Sequence, residues 1–368
     1  MHENVYFCTF LNDPIAIMVF SRQLSQQMRG FAILCVCMHN LLHLVCRAKE
    51  CEFAFYPERV DRLMAASVTP WNLVECFFSF FGWYFILVFV MFSGYGLVCK
   101  HEKVEKGEMK VRSYLWHNFL KLFFLLAPGY LLYLLLNDKP VEWYAVVSQL
   151  TLTINLIDFE WIAPGVYWYL GLTMQFYLIY LFFHRFRDRR WLVMVSLLAI
   201  VLAGAILDTP DKVHQQVRYN SLVWLPVLVT GIWWARYPVN SLHAFLTRHW
   251  MASSLVLTAL WLLSAVCKFV WVLSPLFAIW AIAVASQGVA SLSHTKHQML
   301  SRIGRAMGRF LSFMGGISAG VYVCHPIVRI FAIKAIIGHT HIIAVTCVYM
   351  LFSVLTGYLY TALYKRLK

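Results

Sequence analysis

The chain has 368 residues, of which 61% are hydrophobic, 17% aromatic and only 13% charged, with a formal net charge of +14. Soluble domains run near ~45–50% apolar and ~25% charged, so composition excludes a soluble globular protein and points to an all-α polytopic integral membrane protein. The positive charge does not call for nucleic acid, because Lys and Arg collect in the cytoplasmic loops of membrane proteins and meet anionic membrane lipids there.

Residues 1–20 lack a basic start and no small-residue cleavage site follows, so a cleavable signal is not expected. No polar stretch is long enough for an appended soluble domain, and residues 1–368 are expected to form a single transmembrane domain. The ten cysteines lie mostly inside apolar runs without a CxxC pair and read as small core hydrophobes.

A helical span needs about 20 apolar residues. Ten segments qualify: 29–47, 72–98, 115–136, 165–184, 191–207, 219–235, 250–266, 269–287, 311–333 and 341–362. An eleventh, 143–160, is weaker because it carries Ser148, Gln149, Thr151, Thr153, Asn155 and Asp158.

The first span, "RGFAILCVCMHNLLHLVCR", holds Arg29 at its head and His39, Asn40 and His43 within it. Ten helical steps place His39 about 15 Å beyond Arg29, near the centre of a hydrocarbon core about 30 Å thick. An ionisable group there is costly and marks a functional site by default; the plainer alternative is a pair of neutral imidazoles bonded across helices. Three chemistries fit two histidines one turn apart. A metal pair lacks the glutamate of H-E-x-x-H, reading H-N-L-L-H, and finds no third ligand, so no metal is expected. A proton relay is the second. A general base is the third, since a neutral imidazole with its ordinary pKa of about 6.5 accepts a proton readily.

The second span ends "FVMFSGYGLVCK", where Gly94 and Gly96 flank Tyr95 beside Ser93. Glycines there admit another backbone or a ligand, and helix packing alone also accounts for them. The third opens "RSYLWHNFLKLFFLLAPGY", with Arg112, His117 and Lys121 at one end, a pattern that ordinary basic flanking also produces. The fourth, "GVYWYLGLTMQFYLIY", places Trp168 and Tyr169 as an outer aromatic belt with Gln175 inside. The ninth, "GGISAGVYVCHPIVRIF", carries His325 and Pro326 mid-span with Arg329 one turn beyond; the proline frees a backbone carbonyl near a polar group.

If 143–160 does not cross, the basic loops 99–114, 185–190, 236–249 and 288–310 share one side with both ends of the chain. The opposite loops, 48–71, 137–164, 208–218, the short link at Lys268 and 334–340, are together balanced to mildly acidic. A crossing at 143–160 would put "HRFRDRR" outside. The expectation is therefore about ten transmembrane helices, both termini cytoplasmic, with 143–160 re-entrant or lying on the outer face beside a cavity.

Taken in order, "RGFAILCVCMH", "FVMFSGYG", "VRSYLWHNFLK", "YWYL" and "SAGVYVCHP" resemble the motifs of the membrane acyltransferase-3 family across residues 29–326. That resemblance implies a multi-pass enzyme of the bacterial cytoplasmic (inner) membrane. It would move an acyl group, commonly acetyl, from cytosolic acyl-CoA to a glycan or lipid-linked sugar of the cell envelope. It implies that His39 is catalytic, with His43 beside it, and that Arg29 helps hold the donor. Ser93, Tyr95, Arg112 and Lys121, with Arg302 or Arg305, are the further donor contacts expected, and Asn40, Trp168, Gln175, Tyr322 and His325 the supporting or acceptor-side residues. Two departures stand out. Nine residues separate Arg29 from His39 where the family has ten, which leaves the two about 80° apart around a helix, whereas His43 is about 40° from Arg29. Either the helix is locally irregular, or His43 shares the site, or Arg29 reaches round. His117 and Lys121 also stand where arginines are common.

Two other classes compete. A proton-coupled transporter would use the histidines as a relay and show matched broken helices in two halves, which the sequence lacks. A membrane sensor or scaffold would bind CoA without transferring anything.

Overall fold

The computed structural model describes residues 20–367 apart from 47, 52–54, 69–71, 106, 108, 158–162, 184–188, 207–212, 214–216, 218, 238–240, 296 and 338–341. Expectations for Asp158, Arg185 and Arg187 fall outside the described residues. Every described element is a helix. α1 (Arg22–Val45) is followed by α2 (Pro57–Ser67), then α3 (Leu73–Phe81), which continues through a 3-10 turn at Gly82–Phe85 into α4 (Ile86–Glu105). α5 (Val111–Leu136), α6 (Trp143–Leu150), α7 (Trp168–Phe183), α8 (Arg189–Ile206) and α9 (Ser221–Arg236) come next. The chain closes with α10 (Ser241–Arg248), α11 (Trp250–Ala265), α12 (Ser274–Ser291), the long α13 (Gln298–Ile337) and α14 (Ile342–Leu367).

Six helical segments among the described residues are long and apolar enough to cross a membrane: α1, α3 with α4, α5, α12 with its preceding turn, α13 and α14. The other four expected spans, α7, α8, α9 and α11, are helices of 16 to 18 residues, which at 1.5 Å per residue reach about 24–27 Å. Large apolar side chains such as Leu255, Leu351, Phe352 and Leu359 point outward. Contiguous apolar surface of this kind belongs against lipid, and the backbone polar groups are closed within the helices as a bilayer requires. The protein is a multi-pass membrane protein.

α1 is the axis of the fold. It starts at Ser21, whose hydroxyl oxygen accepts the Leu24 amide at 3.1 Å, satisfying one of the unpaired donors of the first turn. Its two sides belong to two separate apolar cores, one with α3, α4, α9 and α12, the other with α5, α13 and α14. The α1–α13 contact is close because Gly30 lies on the Leu311 carbonyl and Gly315 on the Gln26 carbonyl. α4 and α9 meet the same way through Gly94 and Gly231, so Gly94 is explained by helix packing.

Residues 143–157 do not form a straight span. α6 has eight residues, about 12 Å of helix. It ends where Leu152, at φ 60°, lets the Thr153 amide reach the Ser148 carbonyl at 2.8 Å and the Leu152 amide reach that of Gln149 at 3.2 Å. Glycine is the usual residue at such a helix end; here a leucine fills it and its side chain is buried. Beyond the turn, Asn155 Nδ2 donates to the Trp168 carbonyl at 3.1 Å and to that of Tyr219. Asn220 returns a bond to the Asn155 carbonyl at 3.0 Å, and Gln175 Nε2 donates to Asn220 Oδ1 at 2.7 Å. This chain of amides locks 143–157 onto α7 and α9.

Candidate active site

His39 is placed by a break in the neighbouring helix. At Gly82–Phe85 the chain tightens from α to 3-10 geometry, and the Phe78 carbonyl one turn earlier accepts His39 Nδ1 at 3.0 Å. A carbonyl can only accept, so Nδ1 carries the hydrogen and the lone pair of the neutral ring lies on Nε2. Gly82 makes the approach possible: a Cβ there would meet His39 Cβ at 2.7 Å. His43 repeats the arrangement within its own helix, donating Nδ1–H to the His39 carbonyl at 2.9 Å. The two rings stack at 4.8 Å and 18°. His39 is buried, at 6% exposure, and His43 is partly buried. Beyond α1, Glu50 is only 6% exposed. Burial pushes the adjacent Cys51 thiol up to about 11.

Arg29 faces another way. α1 is a continuous α-helix through both residues, so the offset expected from their spacing is real and not absorbed by an irregular turn. The guanidinium donates Nε–H to the Ser25 carbonyl at 3.2 Å and lies 5.9 Å from the centre of the Phe92 ring. It opens into a cavity of about 300 Å³ between α1, α4, α5 and α7, lined also by Ser93, Gly96, Lys121, Tyr169 and Thr173. Ser93 Oγ donates to the Phe89 carbonyl at 2.9 Å and is 3.2 Å from the Tyr169 hydroxyl. The cavity therefore presents two cations, Arg29 and Lys121, beside the hydroxyl-bearing side chains Ser93, Tyr169, Thr173 and Tyr177, a lining suited to phosphate oxygens.

α13 joins the two places. The Tyr322 ring lies 5.9 Å from Tyr169, at the cavity, and 5.8 Å from His325. His325 is fully buried, donates Nδ1–H to the Val321 carbonyl at 3.1 Å, and keeps Nε2 without a partner among the described residues. One turn on, Arg329 Nη1 donates to the Asn40 carbonyl at 3.1 Å, fastening α13 to the histidine turn of α1. Asn40 itself donates Nδ2 to the Val36 carbonyl at 3.0 Å.

The sequence pattern thus selects residues that do converge: Arg29, Ser93 and Lys121 on one cavity, His39 and His43 in one stack, and Asn40 and His325 on the helices between. Other expected residues lie elsewhere. Tyr95 packs on Phe20 at 6.0 Å and does not line the cavity. Arg112 is exposed at the head of α5, outside it. Arg305 lies in a different groove across α1, and Arg302 lines neither. Trp168 and Tyr169 are not a lipid-facing belt: Trp168 is buried against Tyr219 and Trp224, and Tyr169 turns into the cavity. Gln175 serves the amide network. The Tyr322 hydroxyl already donates to the Val166 carbonyl, so it is committed to holding α13. Sequence reasoning missed Thr173 and Glu50; only a buried carboxylate signals the latter, and burial is not readable from a loop. No group of three His, Cys, Asp or Glu side chains gathers to hold a metal among the described residues.

Comparison with known proteins adds one match. A family model described as an acyltransferase domain, of the acyltransferase-3 type, covers residues 26–362. No curated protein and no solved structure matches the chain.

Proposed function

The chain belongs to the membrane acyltransferase-3 family, and from that premise we propose that it moves an acetyl group from cytosolic acyl-CoA to a hydroxyl of an exported or lipid-linked glycan, with His39 as the general base. The setting proposed is the bacterial cytoplasmic membrane, with both termini and the Arg29 end of α1 toward the cytosol.

The observation that carries the reading is the division of labour along α1. Arg29 stands in a cavity with Lys121, Ser93 and Tyr169, and His39, about 15 Å further along, has its Nδ1–H fixed by a carbonyl. The donor's phosphates meet Arg29 and Lys121, and its pantetheine arm runs past Ser93 and Tyr169 toward His39. An acceptor hydroxyl gives its proton to His39 Nε2 while its oxygen attacks the thioester carbon. The tetrahedral oxyanion collapses, the C–S bond breaks, and the departing thiolate takes the proton back from the imidazolium. The ester leaves on the acceptor. The Phe78 carbonyl and the stacked His43 ring keep the imidazole oriented in a low-dielectric setting, where a misplaced base is costly.

Purified protein with acetyl-CoA and an envelope glycan extract provides the test. His39→Ala is expected to cut transfer by about 10²–10⁴-fold with CoA binding kept. Transfer at the wild-type rate in His39→Ala overturns the general-base role. Mass spectrometry of envelope glycans from cells with and without the protein reads the acyl group and acceptor class directly.

A further inference from the structure

A second cavity, larger than the one Arg29 lines, lies elsewhere among the described residues. A groove of about 780 Å³ runs along the opposite side of α1, between α1, α11, α12 and the first half of α13. Its two ends differ in chemistry. One end is polar and basic, with Gln27, Ser293, Arg305 and Arg309. The other is apolar and aromatic, with Phe31, Phe85, Trp261 and Ile282.

Length sharpens this. From Ser293 to Ile282 is eleven residues, about 16 Å of helix, against about 15 Å for half of a hydrocarbon core. The groove is therefore one leaflet deep. Residues 298–315 carry Arg302, Arg305 and Arg309 at a spacing that keeps them on one helix face, and no acidic residue accompanies them. Arg305 is held in place through Nη1, which donates to the Ser293 carbonyl at 3.4 Å and to Ser301 Oγ. Arg309 is exposed one turn further on. Small side chains, Ala281, Ala285 and Ala290, leave the floor open on α12.

We propose that this groove is a binding site for an anionic phospholipid of the basic-side leaflet, with one acyl chain along the apolar floor and the phosphate between Arg305 and Arg309. Charge complementarity selects the occupant. A neutral lipid satisfies the floor but leaves two guanidinium groups at the rim without an anion. CoA satisfies the rim but brings a polar arm into a slot of aromatic and aliphatic side chains. The site is separate from the donor cavity and does not depend on acyl-CoA being the donor. Its consequence is regulatory: α1 is one wall of both sites, and a lipid seated against Gln27 and Phe31 holds the helix that carries Arg29 and His39.

Native mass spectrometry of the full-length protein in detergent tests this with phosphatidylglycerol and phosphatidylcholine of equal chain length. The expected result is retention of one phosphatidylglycerol about tenfold more strongly than phosphatidylcholine, a preference lost in Arg305→Gln/Arg309→Gln. Ala285→Trp, which fills the floor, is expected to abolish retention of both. The two rim substitutions lie at the surface, so they decide the matter if Ala285→Trp fails to fold. Equal retention of the two lipids by the wild type, or an unchanged preference in the rim variant, overturns the proposal. Displacement of the bound phosphatidylglycerol by CoA overturns it too, because the rim would then be a donor site.

Discussion

Two cavities flank α1, and they solve opposite problems with the same residue type. In the smaller one, Arg29 is enclosed by hydroxyls and by Lys121, and hydrogen bonds define the space. In the larger one, Arg305 and Arg309 stand at the rim of an apolar slot that volume and depth define. A guanidinium surrounded by polar partners recognises an extended anion along its length. One at the edge of an apolar floor recognises an amphiphile by its head alone. Basic residues near a membrane boundary therefore cannot be pooled into one donor site by charge, because the helix face each occupies determines what its neighbours are.

Four substitutions test whether the two cavities and the histidine turn act separately. The largest effect is expected from Gly82→Ala, which touches neither cavity. The added methyl meets His39 Cβ at 2.7 Å and moves the ring off the Phe78 carbonyl. A displacement near 1 Å costs about 10²-fold in rate, so kcat should fall by that order while CoA affinity, read by calorimetry, holds; unchanged kcat would detach the 3-10 turn from the chemistry. Next is Arg29→Gln, expected to weaken CoA binding about 10- to 100-fold through loss of charge-assisted bonds, whereas Arg305→Gln/Arg309→Gln leaves CoA affinity within about twofold. Equal losses in the two variants would merge the cavities into one site. Tyr169→Phe should be milder, less than about tenfold in kcat/KM, because it removes only the hydroxyl beside Ser93. Arg112→Ala should be smallest: an exposed cation outside the cavity should change CoA affinity by no more than about twofold, and a larger loss would extend the donor site to the head of α5.

The histidine pair was legible because period alone places His39 and His43 on one face, and their stacking follows. The angular offset of Arg29 was legible for the same reason, and a continuous α1 preserves it. What no spacing reveals is which neighbour each face meets. Tyr169 and Trp168 are adjacent and chemically alike, yet one lines the cavity and the other packs on Trp224. Ser93 and Tyr95 are two residues apart, and their side chains point to different partners.

The membrane class, the family and the turn of α1 that carries the histidines can be read from the residues alone, because hydropathy, motif order and helical period are local properties. It took the packing of the helices to place Arg29 and Arg305 in different cavities, to spend His39 Nδ1 on the Phe78 carbonyl and to bury Glu50. Those depend on which helices α1 touches, and that choice is made by glycines and side-chain shapes far apart in the chain.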